Sequence, residues 1–408
     1  MKWKLQKIGE IADIIDGDRG KNYPKQNEFR DKGYCLFLNT GNVTRQGFNF
    51  YNNLFITEEK DKILRKGKLM RGDIVFTSRG TIGNTAYYSD KIPYDNVRIN
   101  SGMVILRAIQ GKVEQRYLYQ LLKSDYQRVR MQSYITGSAQ PQLPIKNFSQ
   151  IEIPIPPLPT QRRIADILSA YDDLIENNQK QIKLLEEAAM RLYKEWFVKL
   201  RFPGHEKTKI EDGVPEGWKL TRVKRMGQVI TGKTPSTAIV ENYGEDIPFV
   251  KIPDMHGVIY PLKTEVKLSE RGANTQKNKF LPPKSIMVSC IATVGLVCIT
   301  HEVCQTNQQI NSIVLNDEDH LYYMFFKMKG IKSLLEGVGS NGATMTNVNK
   351  TKFENIELLK PENEILKKFN NLVEPFFSNI LALSKQNEKL KEARDKLLSK
   401  LMSGEIEV

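Results

Sequence analysis

The chain has 408 residues, 40% of them hydrophobic and 26% charged, with a formal net charge of +14. That length exceeds what one core usually supports, so two or three domains are expected, and the apolar fraction excludes a disordered chain. No stretch approaches 18 consecutive apolar residues, which excludes a membrane-spanning helix, and the basic balance points to a polyanionic partner.

The opening Met1-Lys2-Trp3 leads into no apolar run of the signal-peptide kind. With four cysteines (Cys35, Cys290, Cys298 and Cys304), a reducing, cytoplasmic setting and free thiols are expected. The charge is uneven. Residues 1–150 carry 25 Lys and Arg against 14 Asp and Glu, whereas residues 218–355 carry 17 against 12.

Residues 1–155 form the first expected domain. It opens on WKLQKIGEIADIIDG, followed by a glycine-rich turn flanked by Arg19, Lys21 and Lys25, cations suited to phosphate contact. Short Val-, Ile- and Phe-rich runs at 73–78 and 103–106 read as strands, and a helix is expected near 114–130. The turns between them carry Arg79, Asn84, Arg98, Asn100, Gln140 and Gln142. Guanidinium and amide groups in turns suit base edges in the major groove, where Arg pairs with guanine and Asn or Gln with adenine.

A proline cluster (Pro154, Pro156, Pro157, Pro159) then stops the strand pattern, and residues 159–202 read as one long helix. Apolar or small residues fall on a four-three spacing at Ile164, Leu168, Tyr171, Ile175, Ile182, Leu185, Ala189, Leu192 and Trp196, interrupted by Asn178. This is a heptad seam, suited to pairing with a second helix.

Residues 214–358 repeat the first domain. WKLTRVKRMGQVITG echoes the opening at an offset of 215, KSIMVSCIATVG echoes GDIVFTSRGTIG at 212, and TKFENIELLKP echoes KNFSQIEIPIP at 205. Between them, NSIVL at Asn311 aligns with NSGMVIL at Asn100. Strands are expected at 285–289 and 312–315 and a helix near 321–335. The base-edge candidates in this copy are Thr293, Asn307, Gln308, Gln309, Asn341, Thr344 and Asn347.

Residues 362–403 form the second long helix, in register with the first through the repeat, and 404–408 a short tail. Its seam is Phe369, Val373, Phe376, Ile380, Leu383, Leu390, Leu397 and Leu401, interrupted by Asn387 and Arg394. Pro375 predicts a break or a helix start at that point. Each helix of about 40 residues spans roughly 60 Å. The expected fold class is α+β, with two repeated β-rich domains joined by two antiparallel helices about a pseudo-twofold axis, a geometry suited to duplex DNA.

Catalytic signatures are missing. Cys290, Cys298, His301 and Cys304 lack the paired spacing of a structural zinc site and read as buried thiols around a histidine. GDRG at Gly17 has no P-loop frame, and no GxSxG, HExxH or GxGxxG occurs.

EAAMRLYKEWFVKLRFPGHE (187–206), the closing LLSKLMSGEIEV, PIPPLPTQRRIADIL from Pro154 and the W-K-L opening of each copy together resemble the specificity subunits of type I restriction-modification systems. GTIG at Gly80, ATVG at Ala292 and GSAQPQL at Gly137 resemble that family's recurrent turns, whereas GSNGATMT at Gly339 departs from them. The resemblance implies two target recognition domains, each reading half of a bipartite, asymmetric DNA site, with the helices setting the spacer. It also implies two methyltransferase subunits bound to the helices, which carry S-adenosylmethionine and methylate adenine at N6. Restriction subunits using ATP and Mg would translocate and cleave DNA. No cofactor and no catalysis is then expected in this chain, and the base-reading residues do not carry over because those loops differ between members.

Two other readings compete. A self-contained adenine methyltransferase would resemble its family in an NPP[YF] turn, which is absent. A coiled-helix scaffold binding DNA non-specifically would show no sequence preference.

Overall fold

The computed structural model of the protein describes residues 3–45, 47–137, 140–332, 335, 348–406 and 408. It divides into two compact units, residues 1–175 with 389–408, and residues 176–388.

The first unit opens with β1 (Lys4–Lys7), α1 (Ile8–Ile11), β2 (Ala12–Asp16), β3 (Cys35–Leu38), β4 (Val43–Thr44), β5 (Gly47–Phe48), β6 (Phe55–Ile56) and α2 (Glu58–Ile63). It continues with β7 (Ile74–Thr77), β8 (Thr85–Tyr87), β9 (Val97–Ile99), β10 (Met103–Ala108), α3 (Gln115–Lys123), α4 (Asp125–Met131), α5 (Ile145–Ser149) and β11 (Glu152–Ile155). A four-stranded antiparallel sheet, β2-β10-β7-β8, forms its centre. A smaller sheet, β6-β3-β9, joins β3 and β9 in parallel, and β1 pairs with β11.

Strand alternation buries both faces of the central sheet. Ile74, Phe76, Val104 and Leu106 meet Tyr117, Leu118, Leu121 and Leu122 of α3. Val75, Met103 and Ile105 meet Leu36, Leu38, Val97 and Ile99 of the smaller sheet. The helix expected near 114–130 is two helices, because the Ser124 hydroxyl accepts the Gln127 amide and starts α4 afresh.

After α6 (Leu158–Tyr193) and one wider π-helical turn (Lys194–Val198), the second unit adds a short hairpin of β12 (Ile210–Glu211) and β13 (Val214–Pro215). The first unit's order then recurs: β14 (Lys219–Arg222), α7 (Val223–Met226), β15 (Gly227–Thr231), β16 (Tyr243–Val250), β17 (Val266–Leu268) and α8 (Glu270–Asn274). Next come β18 (Ile286–Ser289), β19 (Val297–Ile299), β20 (Gln305–Thr306), β21 (Ile310–Leu315) and α9 (Leu321–Gly330). The unit closes on α10 (Lys350–Glu354), β22 (Glu357–Lys360) and α11 (Asn363–Ser403). Its sheets, β15-β21-β18-β19, β17-β16-β20 and β14-β22, match those of the first unit strand for strand.

Register corrects one part of the sequence repeat. Met103 pairs with Thr77 and Ile310 pairs with Ser289, so the counterpart of Asn100 is Asn307, at an offset of 207, and not Asn311. The shared Asn-Ser letters misled the alignment, since Asn311 lies inside β21 while Asn100 lies in the turn before β10.

Both long helices contribute to each unit. In the first, Asp172 of α6 meets Arg394 of α11 at 2.6 Å and Lys123 of α3 at 3.0 Å. Burial alone would raise the Asp172 carboxyl, but those cations and the Gln120 amide hold it below the usual range. In the second, Asn178 of α6 donates to Asn387 of α11 at 2.9 Å, and Tyr193 and Trp196 pack on Phe369, an antiparallel arrangement. The two asparagine interruptions of the seams therefore satisfy each other, and a buried amide pair of this kind sets helix register. Asn178→Leu is expected to cost about 1–3 kcal/mol by stranding the Asn387 amide, whereas Asn178→Leu with Asn387→Leu recovers most of it. Urea unfolding of both variants checks this, and simple addition of two losses would show that the amides do not act as a pair.

Two expectations for α11 are corrected. Pro375 neither breaks nor begins the helix. It lies on the exposed face, as does Asn371, whose carbonyl is left without its intrahelical donor on the side open to solvent. The buried ring at this level is Phe377, fully enclosed, and not Phe376. No helix among the described residues is long and apolar enough to cross a membrane.

Candidate DNA interface

The antiparallel register of the first unit's central sheet gathers three connections at one strand end. Asp16 pairs with Val104, Met103 with Thr77, and Phe76 with Thr85. The segment after β2, the β7–β8 turn and the turn before β10 therefore emerge together. Gly17 sits where a Cβ would lie 2.2 Å from the Asn100 carbonyl oxygen, so only glycine allows this approach. The Asn100 side chain accepts the Gly102 amide at 2.9 Å, closing a local turn. The Gly102 carbonyl then accepts the Ser78 and Arg79 amides at 2.9 and 3.1 Å.

A further hairpin joins this end. Thr136 and Gln142 exchange backbone hydrogen bonds at 2.8 and 2.9 Å, and the Leu143 amide donates to the Ser78 carbonyl at 2.9 Å. Arg79 and Gln142 thereby become bridge partners. Arg79, Gln140, Lys21 and Lys25 are exposed there. Arg19 is half-exposed and pairs with Asp16 at 3.0 Å. Asn84 gives its amide to the Val43 carbonyl at 3.0 Å, so it supports the turn more than it projects from it.

Arg98 is not at this surface, which corrects its place among the base-edge candidates. It is 5% exposed, and its guanidinium is bonded to the Asp61 carboxylate at 2.5 Å and to the carbonyls of Asp61, Leu64 and Lys66. A position beside a turn in the sequence gave no sign that its side chain anchors α2 from within.

The second unit builds the same end with other letters. The Cys290 amide donates to the Gln309 carbonyl at 2.8 Å, the counterpart of the bond from Ser78 to Gly102. The Val348 amide donates to the Cys290 carbonyl at 3.0 Å, as Leu143 does to Ser78. A Cβ at Gly232 would lie 2.2 Å from the Asn307 carbonyl oxygen, as one at Gly17 would from that of Asn100. Ala292 takes the left-handed φ of +62° that Gly80 takes at +69°.

Asn307 is 8% exposed, and its side chain binds the Gln309 amide and side chain at 3.2 and 2.9 Å. It is a turn-builder like Asn100, a correction to its reading as a base contact. Thr293 and Gln308 are exposed, and Gln308 accepts the Thr234 hydroxyl at 2.7 Å. Asn341, Thr344 and Asn347 lie outside the described residues.

One element was missed by the sequence reading. The Asn100 amide donates to the Leu38 carbonyl, so the segment after β3 emerges at the same end of the first unit. It carries the β4–β5 hairpin with Arg45 exposed and a loop pinned by the Asn42 amide, which donates to Asn49 and Asn52 carbonyls at 2.9 and 3.3 Å. Tyr51 on that loop is 85% exposed. The available signal was Arg45 beside a glycine turn between two strand-like pairs.

The cysteines are free and buried. Burial pushes the Cys290 thiol up to about 11 and Cys35 and Cys304 up to about 12. Among the described residues no group of three His, Cys, Asp or Glu could hold a metal ion.

Residues 1–187 and 215–392, nearly all of both units, match the model of the type I restriction modification DNA specificity domain. The chain belongs to that family. It is 30% identical over 470 aligned positions to the HindI specificity subunit of Haemophilus influenzae, covering 99% of each chain. It is 28% identical to the MjaIX specificity subunit of Methanocaldococcus jannaschii, covering 100% of this chain and 94% of that one. The crystal structure of a type I restriction-modification S subunit from M. genitalium shares its fold at a TM-score of 0.56 and 15% identity, covering 98% and 96% of the two chains. The fold is thus that of this specificity family, two α+β domains joined by long helices. The role of the chain in it is sequence-specific DNA recognition for a restriction-modification complex.

Proposed function

We propose that each unit reads one half of a bipartite DNA target through the loops at the strand end of its central sheet. The recognition domains are residues 1–155 and 214–358. The spacer helices, 159–202 and 362–403, pair as a short coiled coil, hold the half-sites at a set distance and dock two methyltransferase subunits, with restriction subunits joining that core in the cytoplasm. The observation that carries this reading is the equivalence of the two strand ends: Ser78 to Gly102 and Cys290 to Gln309, Leu143 to Ser78 and Val348 to Cys290. Two loop sets of different sequence presented on one repeated scaffold are what reading two different half-sites requires.

Phosphate contacts by Arg19, Lys21 and Lys25 supply salt-dependent affinity. Selectivity comes from Arg79, Asn84, Asn100, Gln140 and Gln142 in the first unit, and from Thr293, Gln308, Gln309, Asn341, Thr344 and Asn347 in the second, some touching bases and others shaping the turns that do. The test is selection from a randomised duplex library by the chain co-expressed with its methyltransferase partner. Two short motifs separated by an invariant gap are expected. Uniform retention of all sequences would leave only a scaffold that holds DNA by charge.

A further inference from the structure

We propose that Arg45 and Arg128 of the first unit close on a single phosphodiester group of bound DNA. This rests on the reading of that unit as a DNA-binding domain and adds a contact the sequence did not suggest.

Arginines of this unit such as Arg71, Arg98, Arg107 and Arg116 each have a carboxylate within 3.0 Å. Arg128 does not. Its Nε is buried without a hydrogen-bond partner, and Asp125 stands 3.9 Å away with 77% of its own side chain in solvent. The preceding residue, Gln127, is fully buried with both ends of its amide unpartnered. Burial first, and then the like charge of Arg45, lower the basicity of Arg128, and Asp125 only partly offsets them.

Arg45 sits on the β4–β5 hairpin and is exposed. That hairpin is tied to the β7–β8 turn by the bond from Asn84 to Val43. Arg128 lies on α4, which leads through a single turn at Gln132–Tyr134 into the Thr136–Gln142 hairpin bonded to the same turn. An exposed Arg45 and a partly desolvated Arg128, whose one carboxylate stands 3.9 Å off, are held at the loops that form the candidate interface and lack a close anionic acceptor. A phosphodiester supplies one charge and two free oxygens, enough for one hydrogen bond or more from each guanidinium. Free protein bears the like-charge cost, and DNA removes it.

The test uses the full chain with a duplex enriched in the library selection and a scrambled duplex, by fluorescence anisotropy over a salt series. Arg45→Gln and Arg128→Gln are each expected to weaken both duplexes alike and to reduce the log–log salt slope by about one. Because both residues hold the same phosphate, Arg45→Gln with Arg128→Gln loses no more slope than either alone. The thermal midpoint of Arg128→Gln stays at or above that of the parent, which separates lost binding from lost folding. A neutral methylphosphonate at one backbone position weakens the parent and leaves the double variant unchanged.

Parental slopes in both single variants overturn the clamp, as does a loss confined to one sequence or a summed loss of two slope units. If those results come with sequence selectivity intact in the parent, only the clamp falls. If the parent prefers no duplex, the DNA-reading function falls and the clamp with it.

Discussion

Arg98→Ala is expected to destabilise the first unit by about 3–5 kcal/mol, because it leaves a buried carboxylate without its main partner. Arg98 and Asp61 expose 6% and 4% of their side chains and meet at 2.5 Å. The same guanidinium satisfies three carbonyls around the end of α2. Lys68 remains on Asp61, but it is 41% exposed and cannot fill the emptied space. Burial alone would raise the Asp61 carboxyl, and the hydrogen bonds from Lys68 and Arg98 hold it below the usual range instead. The contribution is therefore present above the unfolded value of about 4 and is lost as pH falls through the lower folded value. Urea unfolding followed by circular dichroism at neutral pH checks the magnitude, and repeating it in acid should shrink the difference. Loss of DNA selectivity with undiminished stability would instead return Arg98 to the base-contacting set. Its counterpart Gln305 is fully buried and bonds the Ala273 carbonyl at 3.0 Å behind α8. Gln305→Leu, which removes a neutral partner, is expected to cost less, about 1–3 kcal/mol.

Phe377→Ala is expected to cost the second unit about 3–5 kcal/mol, and Phe376→Ala much less. The Phe377 ring is enclosed by Tyr322, Phe325 and Phe326 of α9, at centroid distances of 4.3, 5.3 and 5.8 Å. Phe376 is only partly buried. A strict heptad puts the seam on Phe376. An α-helix of 3.6 residues per turn drifts against that repeat, and a residue packed on a second neighbour follows the neighbour. Comparing thermal midpoints of the two variants decides the point, since equal losses would place both rings in the core.

Much of the architecture was legible because its signals are local or repeated. The repeat openings at Trp3 and Trp218, the proline cluster before α6 and the four-three spacing along both helices lie in contiguous letters. Asn178 and Asn387 stood out as interruptions, though only the fold shows that they bond to each other. The strand cores were legible too, with β7, β10, β18 and β21 lying within three residues of their expected bounds at every end. The candidate interface was legible only as a set of turns. Which turn residues project and which are consumed depends on partners distant in sequence: Arg98 on Asp61, Asn84 on Val43, Gln308 on Thr234.

The sequence by itself determined the duplication, the long helices, the absence of an apolar membrane span and the membership these imply, because composition, period and order are properties of the chain. Tertiary structure alone decided that Asn307 and not Asn311 answers to Asn100, that Pro375 sits inside a helix and that Arg98 is interior. Each of these depends on which atoms meet across a sheet register or a helix face. A one-residue change of register or a 100° turn of a helix moves a side chain from solvent to core without altering a letter of the sequence.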